Sequence, residues 1–362
     1  MSPNEASPEE LVTLLVGYHQ AGSFVRDPSP LVLRRDDKDG LFIRQADLEK
    51  RSKGDVPELA LSQLWSLMRG YSPRQKLAAG ANYLKFRGMT APLERILKSH
   101  REAAVERCID ENRDFKVIQT GELVWHARRD LLTDTHQAVL NDPDAFLIPS
   151  AKTLKMSRGT TLATTPGSTV LKRFNLKKVK NLLRNQFLAS KAHLAFQRAY
   201  HLESIGIRTA RAIAFAERYK LGVLTRSYLL MEQVTEVRSG AAAFQEWNGH
   251  RNDLKGLVLE DAGRLLGLLH DAGFANRDLK ASNMLVNESG QVWLIDLDGV
   301  SQRDRISEEV RLKNLRRIVK DLPQYGELSI KEAMHFLKSY TRSYRQGDAR
   351  HLYRRLAEEP WA

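Results

Sequence analysis

The chain has 362 residues, and a hydrophobic fraction of 42% argues against wholesale disorder. Its single cysteine, Cys108, excludes an intrachain disulfide and a multi-cysteine zinc site. The net charge of +13 favours a polyanionic partner, a class that includes nucleic acid, anionic membranes and phosphorylated substrates.

The first part of the chain predicts a helical region without an obvious functional motif. Residues 1–56 mix proline, glycine and charges with short apolar pieces and predict no fold. From Glu58 to about Arg113 apolar residues recur at helical spacing. Examples are Leu61, Leu64, Trp65 and Met68. We therefore predict a mainly helical N-terminal extension over residues 1–114, of unknown role.

Strand patterns follow and predict an antiparallel sheet. The predicted strands are 116–119, 123–125, 153–156, 162–165, 169–174, 212–216 and 228–232. Thr120 and Gly121 provide the turn of a hairpin between the first two strands. A long helix is predicted over Lys177–Ile205. We assign residues 115–235 to one lobe and residues 236–362 to a second, mainly helical lobe.

One loop and the strand after it carry the strongest functional pattern. Residues 276–283 read N-R-D-L-K-A-S-N, and the apolar residues 292–295 lead to Asp296. Protein kinases use H-R-D-x-x-x-x-N followed by an apolar strand that ends in a metal-binding Asp. The order, the spacing from Asp278 to Asn283 and the apolar strand all match, so the pattern predicts phosphoryl transfer.

Each polar residue of this pattern has a candidate role. Asp278 is the candidate catalytic group that orients the attacking hydroxyl, and Lys280 is placed to offset charge on the transferred phosphoryl group. Asn283 and Asp296 are the candidate Mg²⁺ ligands, because amide and carboxylate oxygens suit that ion. Asp298 is either a second carboxylate of the site or a residue of the following turn, and we favour the turn.

A lysine on an earlier strand is the candidate phosphate ligand. Strand alternation places Lys172 on the same face as Val170 and Phe174, toward the interior. A lysine among apolar neighbours, with nothing in the sequence to neutralise it, indicates a bound anion. Kinases use a lysine on this strand to hold the α- and β-phosphates. The alternative is an edge lysine whose ammonium reaches water.

Two other segments are predicted to contact the nucleotide. The loop before Lys172 has Gly159 but no glycine-rich pattern, and its N–H groups at Gly159 and Thr160 are candidates for phosphate binding. Residues 228–234 look like a kinase hinge, whose backbone at Glu232 and Val234 would pair with adenine. No P-loop, H-E-x-x-H or G-x-S-x-G motif occurs, so those enzyme classes are not indicated.

Five segments together carry a family resemblance. They are 170–174 (V-L-K-R-F), 202–209 (L-E-S-I-G-I-R-T), 269–274 (L-H-D-A-G-F), 277–283 (R-D-L-K-A-S-N) and 294–299 (L-I-D-L-D-G). Roughly residues 150–320 resemble the bacterial lipopolysaccharide core kinases, the Kdo/heptose kinase family of the protein-kinase-like superfamily. The resemblance implies an α+β, two-lobed, kinase-like fold. It also implies an ATP- and Mg²⁺-dependent kinase that phosphorylates a sugar hydroxyl, on Kdo or heptose, of the lipopolysaccharide core.

The sequence departs from the kinase pattern at three points. Asn276 replaces the usual His before Arg-Asp, and the phosphate loop is poor in glycine. The helix after Lys172 offers no clear acid near Ala195–Gln197 to pair with that lysine, and Glu203 comes late. These departures keep a pseudokinase that regulates the cell envelope as an alternative. A kinase acting on a protein, a small molecule or another glycolipid is the second alternative.

The residues after Asp296 suggest a compact acceptor and a surface partner. A helical pattern resumes by Ser307 without the A-P-E of a protein-kinase activation segment, which favours a sugar or glycolipid over a protein. A basic run follows, formed by Arg303, Arg305, Arg311, Lys313, Arg316 and Arg317. It predicts peripheral contact with an anionic membrane, whereas a nucleic-acid partner rests on charge alone and is not expected. No apolar run reaches the roughly 18 residues of a membrane span, so we expect a cytoplasmic protein, at most peripheral at the inner membrane.

Overall fold

The computed structural model describes the chain in segments separated by short gaps. The described residues are 6–21, 23–25, 34–35, 41–43, 48–50, 57–68, 73–149, 153–157, 159–175, 189–220, 223–247, 252–303, 305–321, 328–344 and 348–357. They fall into two units, Met1–Arg107 and Cys108–Ala362, each with apolar core clusters of its own. In the described part of the chain, no helix combines the length and apolar character needed to cross a bilayer.

The first unit packs helices around buried leucine and aromatic side chains. Its helices are α1 (Pro8–Gln20), α2 (Pro57–Leu67), α3 (Pro73–Arg87) and α4 (Leu93–Glu106). Its strands are β1 (Ser23–Val25), β2 (Arg34–Arg35), β3 (Leu41–Phe42) and β4 (Leu48–Lys50). Helix α1 begins at a capping box, in which Ser7 and Glu10 accept each other's backbone N–H. The helices predicted after Glu58 are confirmed as far as Glu106.

An antiparallel sheet forms the first part of the second unit. Among the described residues its order is β5-β6-β10-β11-β9-β8-β7. The strands are β5 (Phe115–Thr120), β6 (Leu123–Arg128), β7 (Thr153–Met156), β8 (Thr160–Thr165), β9 (Thr169–Phe174), β10 (Ala212–Lys220) and β11 (Val223–Glu232). A short helix, α5 (Gln137–Asn141), follows the first hairpin. Trp125 and Tyr228 are fully buried on the sheet face that carries this helix.

Tight turns fix the pairing of these strands. Gly121 takes a φ of 58° in the hairpin between β5 and β6, and Gly167 and Ser168 take φ values of 80° and 52° between β8 and β9. Positive φ at such turn positions is the conformation that glycine and small polar residues tolerate. The predicted hairpin and the three successive antiparallel strands are therefore confirmed.

The rest of the unit is mainly helical. Its helices are α6 (Lys191–Ser204), α7 (Gly240–Glu246), α8 (Asn252–Asp271), α9 (Glu308–Asp321), α10 (Ile330–Tyr344) and α11 (Ala349–Ala357). Gly263 and Gly267 of α8 lie directly against the backbone of α10; a Cβ on Gly267 would stand 2.5 Å from the Tyr340 carbonyl oxygen. The two helices thus pack closely because α8 has no side chain at these two positions.

Short strands between the helices flank the R-D-x-x-x-x-N loop. They are β12 (Val237–Ser239), β13 (Phe274–Asn276), β14 (Met284–Asn287), β15 (Val292–Leu294) and β16 (Val300–Gln302). Strand β14 pairs with β12 and β15, and β13 pairs with β16. These two small antiparallel sheets bring the ends of β13 and β15 to the same region of the unit.

The predicted α+β class, with a large antiparallel sheet and a helical remainder, is confirmed. Of the long helix predicted over Lys177–Ile205, the part from Lys191 to Ser204 is confirmed as α6. The prediction is wrong at residues 189–190, because Ser190 is extended and caps the start of α6; the lysine cluster at 177–180 lies outside the described residues. The predicted basic run is wrong at Arg311, which is not a surface cation. It is 9% exposed, and its guanidinium lies 4.3 Å from the Tyr344 ring centroid. The division into lobes at residues 115, 235 and 236 stays a prediction.

Candidate functional site

The R-D-x-x-x-x-N loop lies between β13 and β14, and Asn276 shapes its start. The Asn276 side chain is buried, and its Oδ1 accepts a hydrogen bond of 2.9 Å from the Asp278 N–H. An amide oxygen two residues before a backbone N–H is a familiar way to close such a turn. Asn276 therefore orders the R-D-x-x-x-x-N loop locally, and its place in this sequence has a structural reason.

Side chains of helix α9 accept hydrogen bonds from the backbone of the same loop. Oδ1 of Asn314 accepts from the Asn276 N–H at 2.8 Å and lies 3.3 Å from Nε2 of His270. About two turns further along, Asp321 Oδ2 accepts from the Ala281 N–H at 2.7 Å. Asn314 is 2% exposed, so the Asn276 N–H finds a protein acceptor where water does not reach.

Asp278, Lys280 and Asn283 form one cluster at the loop. Nδ2 of Asn283 donates to the Asp278 backbone oxygen at 2.9 Å and to its Oδ2 at 3.1 Å. The ammonium of Lys280 lies 3.4 Å from the other carboxylate oxygen, Oδ1. The Asp278 side chain is half exposed. Its carboxylate is thus oriented by Asn283 and remains accessible to an acceptor.

The strand that leads to Asp296 is tied to this cluster through the backbone. The Ile295 N–H donates to the Asn283 carbonyl at 2.9 Å, and the Arg277 N–H donates to the Gly299 carbonyl at 3.0 Å. Asp296 itself takes a left-handed conformation, with φ 57° and ψ 67°. A non-glycine residue in this region is uncommon and clusters at functional sites. The turn directs the Asp296 carboxylate toward the sheet.

Lys172 of β9 contacts two carboxylates of the chain itself. Its Nζ donates to Asp296 Oδ1 at 2.9 Å and to Asp298 Oδ1 at 3.1 Å. The lysine is 6% exposed, and its Nζ lies 4.7 Å from the Phe174 ring centroid. Two expectations are corrected: Lys172 is neutralised within the chain, and Asp298 is more than a turn residue. The strand ends before both aspartates, so the turn, rather than strand alternation, brings them together.

The charge balance keeps Asp296 ionised. Burial by itself favours the protonated carboxyl and raises the pKa of Asp296. The ammonium of Lys172, close in space and hydrogen-bonded, outweighs burial, and Lys155 and Lys280 add further positive charge, so the pKa lies below its usual 3.8. Three lysines from separate segments therefore act on one carboxylate.

Helix α6 approaches this turn with a base rather than an acid. Arg198 donates from NH1 to the carbonyl oxygens of Leu297 and Asp298, at 3.3 and 3.4 Å. Glu203, the late acid on the same helix, instead forms an ion pair of 2.6 Å with Arg128. The missing helix acid is accounted for, because Asp298 takes the lysine and Arg198 anchors the helix to the turn.

The predicted phosphate-loop residues are held in a local turn. The N–H groups of Gly159 and Thr160 donate to Ser157 Oγ, at 3.3 and 3.1 Å. These donors are therefore occupied in this conformation. The nucleotide roles of Gly159 and Thr160 stay predictions.

The predicted hinge is ordered by its neighbours. The Glu232 N–H donates to the Arg211 carbonyl at 2.9 Å, and its carboxylate forms two hydrogen bonds of 2.5 Å with the Arg211 side chain. The following Gln233 N–H donates to the Ser168 carbonyl at 2.8 Å. The adenine contacts predicted at Glu232 and Val234 stay predictions.

The oxygen atoms beside the loop fit a Mg²⁺ ion. Asn283 turns its amide nitrogen toward Asp278, which leaves its Oδ1 on the other side of the amide group. Asn283 Oδ1 and the Asp296 carboxylate are both hard oxygen donors, the kind of atom that Mg²⁺ takes. Within the described residues no three His, Cys, Asp or Glu side chains form a preassembled metal site. Mg²⁺ at nucleotide sites takes one or two protein oxygens and completes its shell with phosphates and water, so this donor set suits that ion.

Two residues that contact the site were not predicted from the sequence. Arg198 carried no motif signal at all. Asn314 did carry one, because it interrupts the apolar stripe of α9 formed by Leu312, Leu315 and Ile318. A polar residue on such a stripe indicates a buried hydrogen-bonding role.

Comparison with known proteins gives a family match over this region. The model of the lipopolysaccharide kinase (Kdo/WaaP) family matches residues 159–340, half of the chain. The match includes the strand with Lys172, the loop with Asp278 and Asn283, and Asp296. It ends within helix α10.

Several curated proteins are similar to part of this chain. The 3-deoxy-D-manno-octulosonic acid kinase of Xylella fastidiosa (strain 9a5c) is 31% identical over 126 residues, 34% of this chain and 48% of that protein. The protein of that name from Vibrio cholerae serotype O1 is 28% identical over 129 residues, 36% of this chain and 52% of that protein. The chain spans about half the length of the curated relatives it matches.

Among solved structures, "WaaP in complex with acyl carrier protein" matches with a TM-score of 0.47 and 20% identity. The match covers 63% of this chain and 92% of that one.

Proposed function

Because the chain belongs to the lipopolysaccharide kinase (Kdo/WaaP) family, we propose that it transfers the γ-phosphoryl group of ATP to a sugar hydroxyl of the lipopolysaccharide core. The observation that carries the proposal is the meeting of Lys172 with Asp296 beside the Asp278–Asn283 pair. The names of the curated relatives favour 3-deoxy-D-manno-octulosonic acid (Kdo) as the acceptor sugar, with heptose as the other candidate.

The nucleotide end of the site uses the lysine and the oxygen ligands. Lys172 holds the α- and β-phosphates from the sheet. Asn283 Oδ1 and the Asp296 carboxylate would hold Mg²⁺, which supplies charge neutralisation at the phosphates when bound. Asp298 would remain a partner of Lys172 if Asp296 ligated Mg²⁺, because the lysine contacts both carboxylates.

The acceptor end uses the exposed carboxylate. Asp278 accepts the hydrogen bond of the sugar hydroxyl and takes its proton as the oxygen–phosphorus bond forms. The bond between the γ-phosphorus and the bridging oxygen breaks, and ADP leaves with that oxygen. Lys280, at 3.4 Å from the Asp278 carboxylate, offsets the negative charge of the phosphoryl group in flight.

We also propose that the chain binds a lipid-linked acceptor at an anionic membrane surface. Arg303, Arg305 and Arg317 are exposed after the Asp296 turn, and the chain carries a net charge of +13. Exposed cations of this kind attract anionic lipid headgroups. Changing these three arginines to Glu should weaken binding to vesicles with anionic lipid and leave binding to neutral vesicles at its low level. Unchanged binding to anionic vesicles would contradict the membrane contact.

Labelled ATP and a panel of acceptors test the function. The panel holds Kdo-containing and heptose-containing core glycolipids, an unrelated protein and an aminoglycoside. We expect phosphate on a core sugar, and Asp278→Ala should lower that rate on the order of 10²-fold or more. Asp134→Ala, an exposed aspartate in another turn, is the matched control and should leave the rate unchanged. Transfer to the protein or the aminoglycoside alone would contradict the proposed acceptor, and no transfer at all would contradict the kinase.

A further inference from the structure

The sheet above the site carries a second lysine in line with Lys172. In the pairing of β8 with β9, Lys172 lies opposite Leu162, and in the pairing of β7 with β8, Leu162 lies opposite Lys155. Residues directly opposite each other on antiparallel strands project from the same face of the sheet. Lys155 therefore projects from the face on which Lys172 meets Asp296.

A β-bulge produces this orientation. Thr153 lies opposite Ala163, but the next pair joins Lys155 to Leu162, so Leu154 is an extra residue without an opposite partner. In a regular ladder Leu154 would lie opposite Leu162. Lys155 would then project from the other face of the sheet, the face on which Ala163 is buried. A bulge shifts the register by one residue and re-aims the side chains that follow. Here the shift moves the lysine to the site face and leaves Leu154 58% exposed.

The electrostatics of the site agree with this geometry. Lys155 is one of the lysines whose charge acts on Asp296, together with Lys172 and Lys280. Lys172 is already neutralised by two carboxylates, whereas Lys155 is exposed on the same face. Near this face the loop donors that kinases use for phosphates are turned onto Ser157. A triphosphate would thus meet a side-chain cation from this strand where a glycine-rich loop would offer N–H groups.

We propose that Lys155 is a phosphate-binding residue for the nucleotide, positioned by the bulge at Leu154 and replacing the N–H donors of a glycine-rich loop. The inference rests on the proposed function, since it assumes that a nucleotide occupies the site. Its ligand chemistry is the β- or γ-phosphate of ATP. A phosphate on the acceptor glycolipid offers the same chemistry, and the experiment separates the two.

Equilibrium binding of ATP, ADP and adenosine to the full chain and to Lys155→Met tests the inference. A charge-assisted hydrogen bond is worth roughly tenfold or more in affinity, so ATP should bind the variant at least about tenfold more weakly. Adenosine has no phosphate and should bind both proteins equally. Loss of adenosine binding in the variant would reveal a damaged fold and overturn the specific role.

Two further variants sharpen the test. Lys220→Met removes an exposed lysine at the far end of β10 and should leave all three affinities unchanged. Exchanging residues 154 and 155, in the double variant Leu154→Lys and Lys155→Leu, keeps the net charge but removes the cation from the site face. It should weaken ATP binding as much as Lys155→Met does, and wild-type affinity in this exchange variant would overturn the role of the bulge.

The outcomes separate this inference from the proposed function. If the wild-type chain binds no adenine nucleotide, the proposed function and the inference both fail. If the wild type binds ATP and Lys155→Met binds it equally well, the inference alone fails. A raised KM for a phosphorylated core acceptor with unchanged ATP affinity would assign Lys155 to the acceptor and overturn the nucleotide role.

Discussion

Gly299 shows how closely single residues are fitted around the candidate site. A Cβ built on this glycine would stand 2.5 Å from Asn276 Oδ1 and 2.9 Å from the Asp278 nitrogen. Real Cβ atoms do not approach other atoms so closely, and both neighbours belong to the catalytic loop. The residue after Asp298 is therefore glycine, because the backbone of the turn lies directly against the Asn276 side-chain oxygen and the Asp278 nitrogen.

Gly299→Ala is expected to displace the catalytic loop without emptying the nucleotide site. Misplacement by about 1 Å can cost on the order of 10²-fold in rate, so kcat should fall by that order while ATP affinity stays within about twofold. Steady-state kinetics with a core acceptor and nucleotide binding measure the two quantities.

Gly256→Ala is the matched control for this substitution. Gly256 lies in helix α8 with open space where its Cβ would stand. Alanine there should keep kcat and raise the unfolding free energy by roughly 0.5–1 kcal/mol. Wild-type kcat in Gly299→Ala would contradict the close fit of the loop and the turn.

The residues of the loop could be predicted from the sequence, whereas the contacts between residues of distant segments could not. Spacing within one segment selected Asp278 and Asn283, which the structure joins by a hydrogen bond of 3.1 Å. The pair between Lys172 and Asp298 was missed, since the two residues are 126 positions apart and a left-handed turn sets their approach. Local patterns carry no information about such an approach.

Helix α9 supports the catalytic loop at the scale of whole elements. Its Asn314 accepts the Asn276 N–H and its Asp321 accepts the Ala281 N–H, at 2.8 and 2.7 Å. The helix thus holds both ends of the loop through backbone N–H groups. We therefore expect its polar residues to affect the proposed reaction through the position of the loop.

Asn314→Leu replaces one of these acceptors with an apolar side chain of similar volume. The loss should displace the loop and lower kcat at least about tenfold, while the ATP affinity is retained. Asn314→Asp keeps an oxygen acceptor for the Asn276 N–H and should restore most of kcat. Kinetics and ATP binding give the two readouts.

Leu337→Ala controls for lost stability in the same core. Leu337 is buried in helix α10, and its truncation should cost about 2–5 kcal/mol of stability with little change in kcat of the folded fraction. If Asn314→Leu behaved like Leu337→Ala, with lower stability but normal kcat, the positioning role of α9 would be wrong.

The elements themselves differed in how well they could be predicted. The hairpin at Gly121 and the strands on either side of Gly167 followed from turn residues and alternation. The bulge at Leu154 did not, because no glycine or proline marks it and a bulge inverts the facing of every later residue in the strand. Strand alternation is therefore reliable only as far as the first irregularity.

At the scale of the whole molecule, each unit contains a buried neutral histidine. His19 lies between Tyr83 and Gln63 in the first unit, at 2.6 and 2.9 Å. His270 lies between Tyr340 and Asn314 in the second, at 2.8 and 3.3 Å. Burial lowers the pKa of each from 6.5 to about 4.

These shifts predict acid sensitivity in both units. Between pH 6.5 and 4 the unfolded chain binds a proton at each histidine and the folded chain does not, so stability rises with pH in this window. Each histidine should contribute roughly 3 kcal/mol that is present above pH 6.5 and lost as the pH falls to 4. Hydrogen exchange at pH 7 and pH 4.5 reports the two units separately, through amides of α1 and α8.

Single variants identify the titrating group in each unit. His270→Gln should flatten the pH dependence of α8 and leave that of α1 unchanged, and His19→Gln should do the reverse. An equally steep loss of α8 protection in His270→Gln would show that another group is responsible.

The two units also mark where the sequence was informative. The second unit carries the kinase-like motifs, and the family match lies wholly within it. The fold of the first unit could not be predicted before Glu58, because its strands have two or three residues and so show no alternation. Its core depends on contacts between α1 and later helices, which no local pattern encodes.

We propose above all that Lys172, Asp278, Asn283 and Asp296 act on one metal–nucleotide complex. Mn²⁺ affinity, measured by electron paramagnetic resonance with a non-hydrolysable ATP analogue present, tests it most directly. Removing a ligand oxygen should weaken Mn²⁺ binding at least about tenfold in Asp296→Asn and in Asn283→Leu. Asp278→Ala, which removes no ligand, should bind Mn²⁺ like the wild type. Equal Mn²⁺ affinity in the wild type and in both ligand variants would contradict the claim.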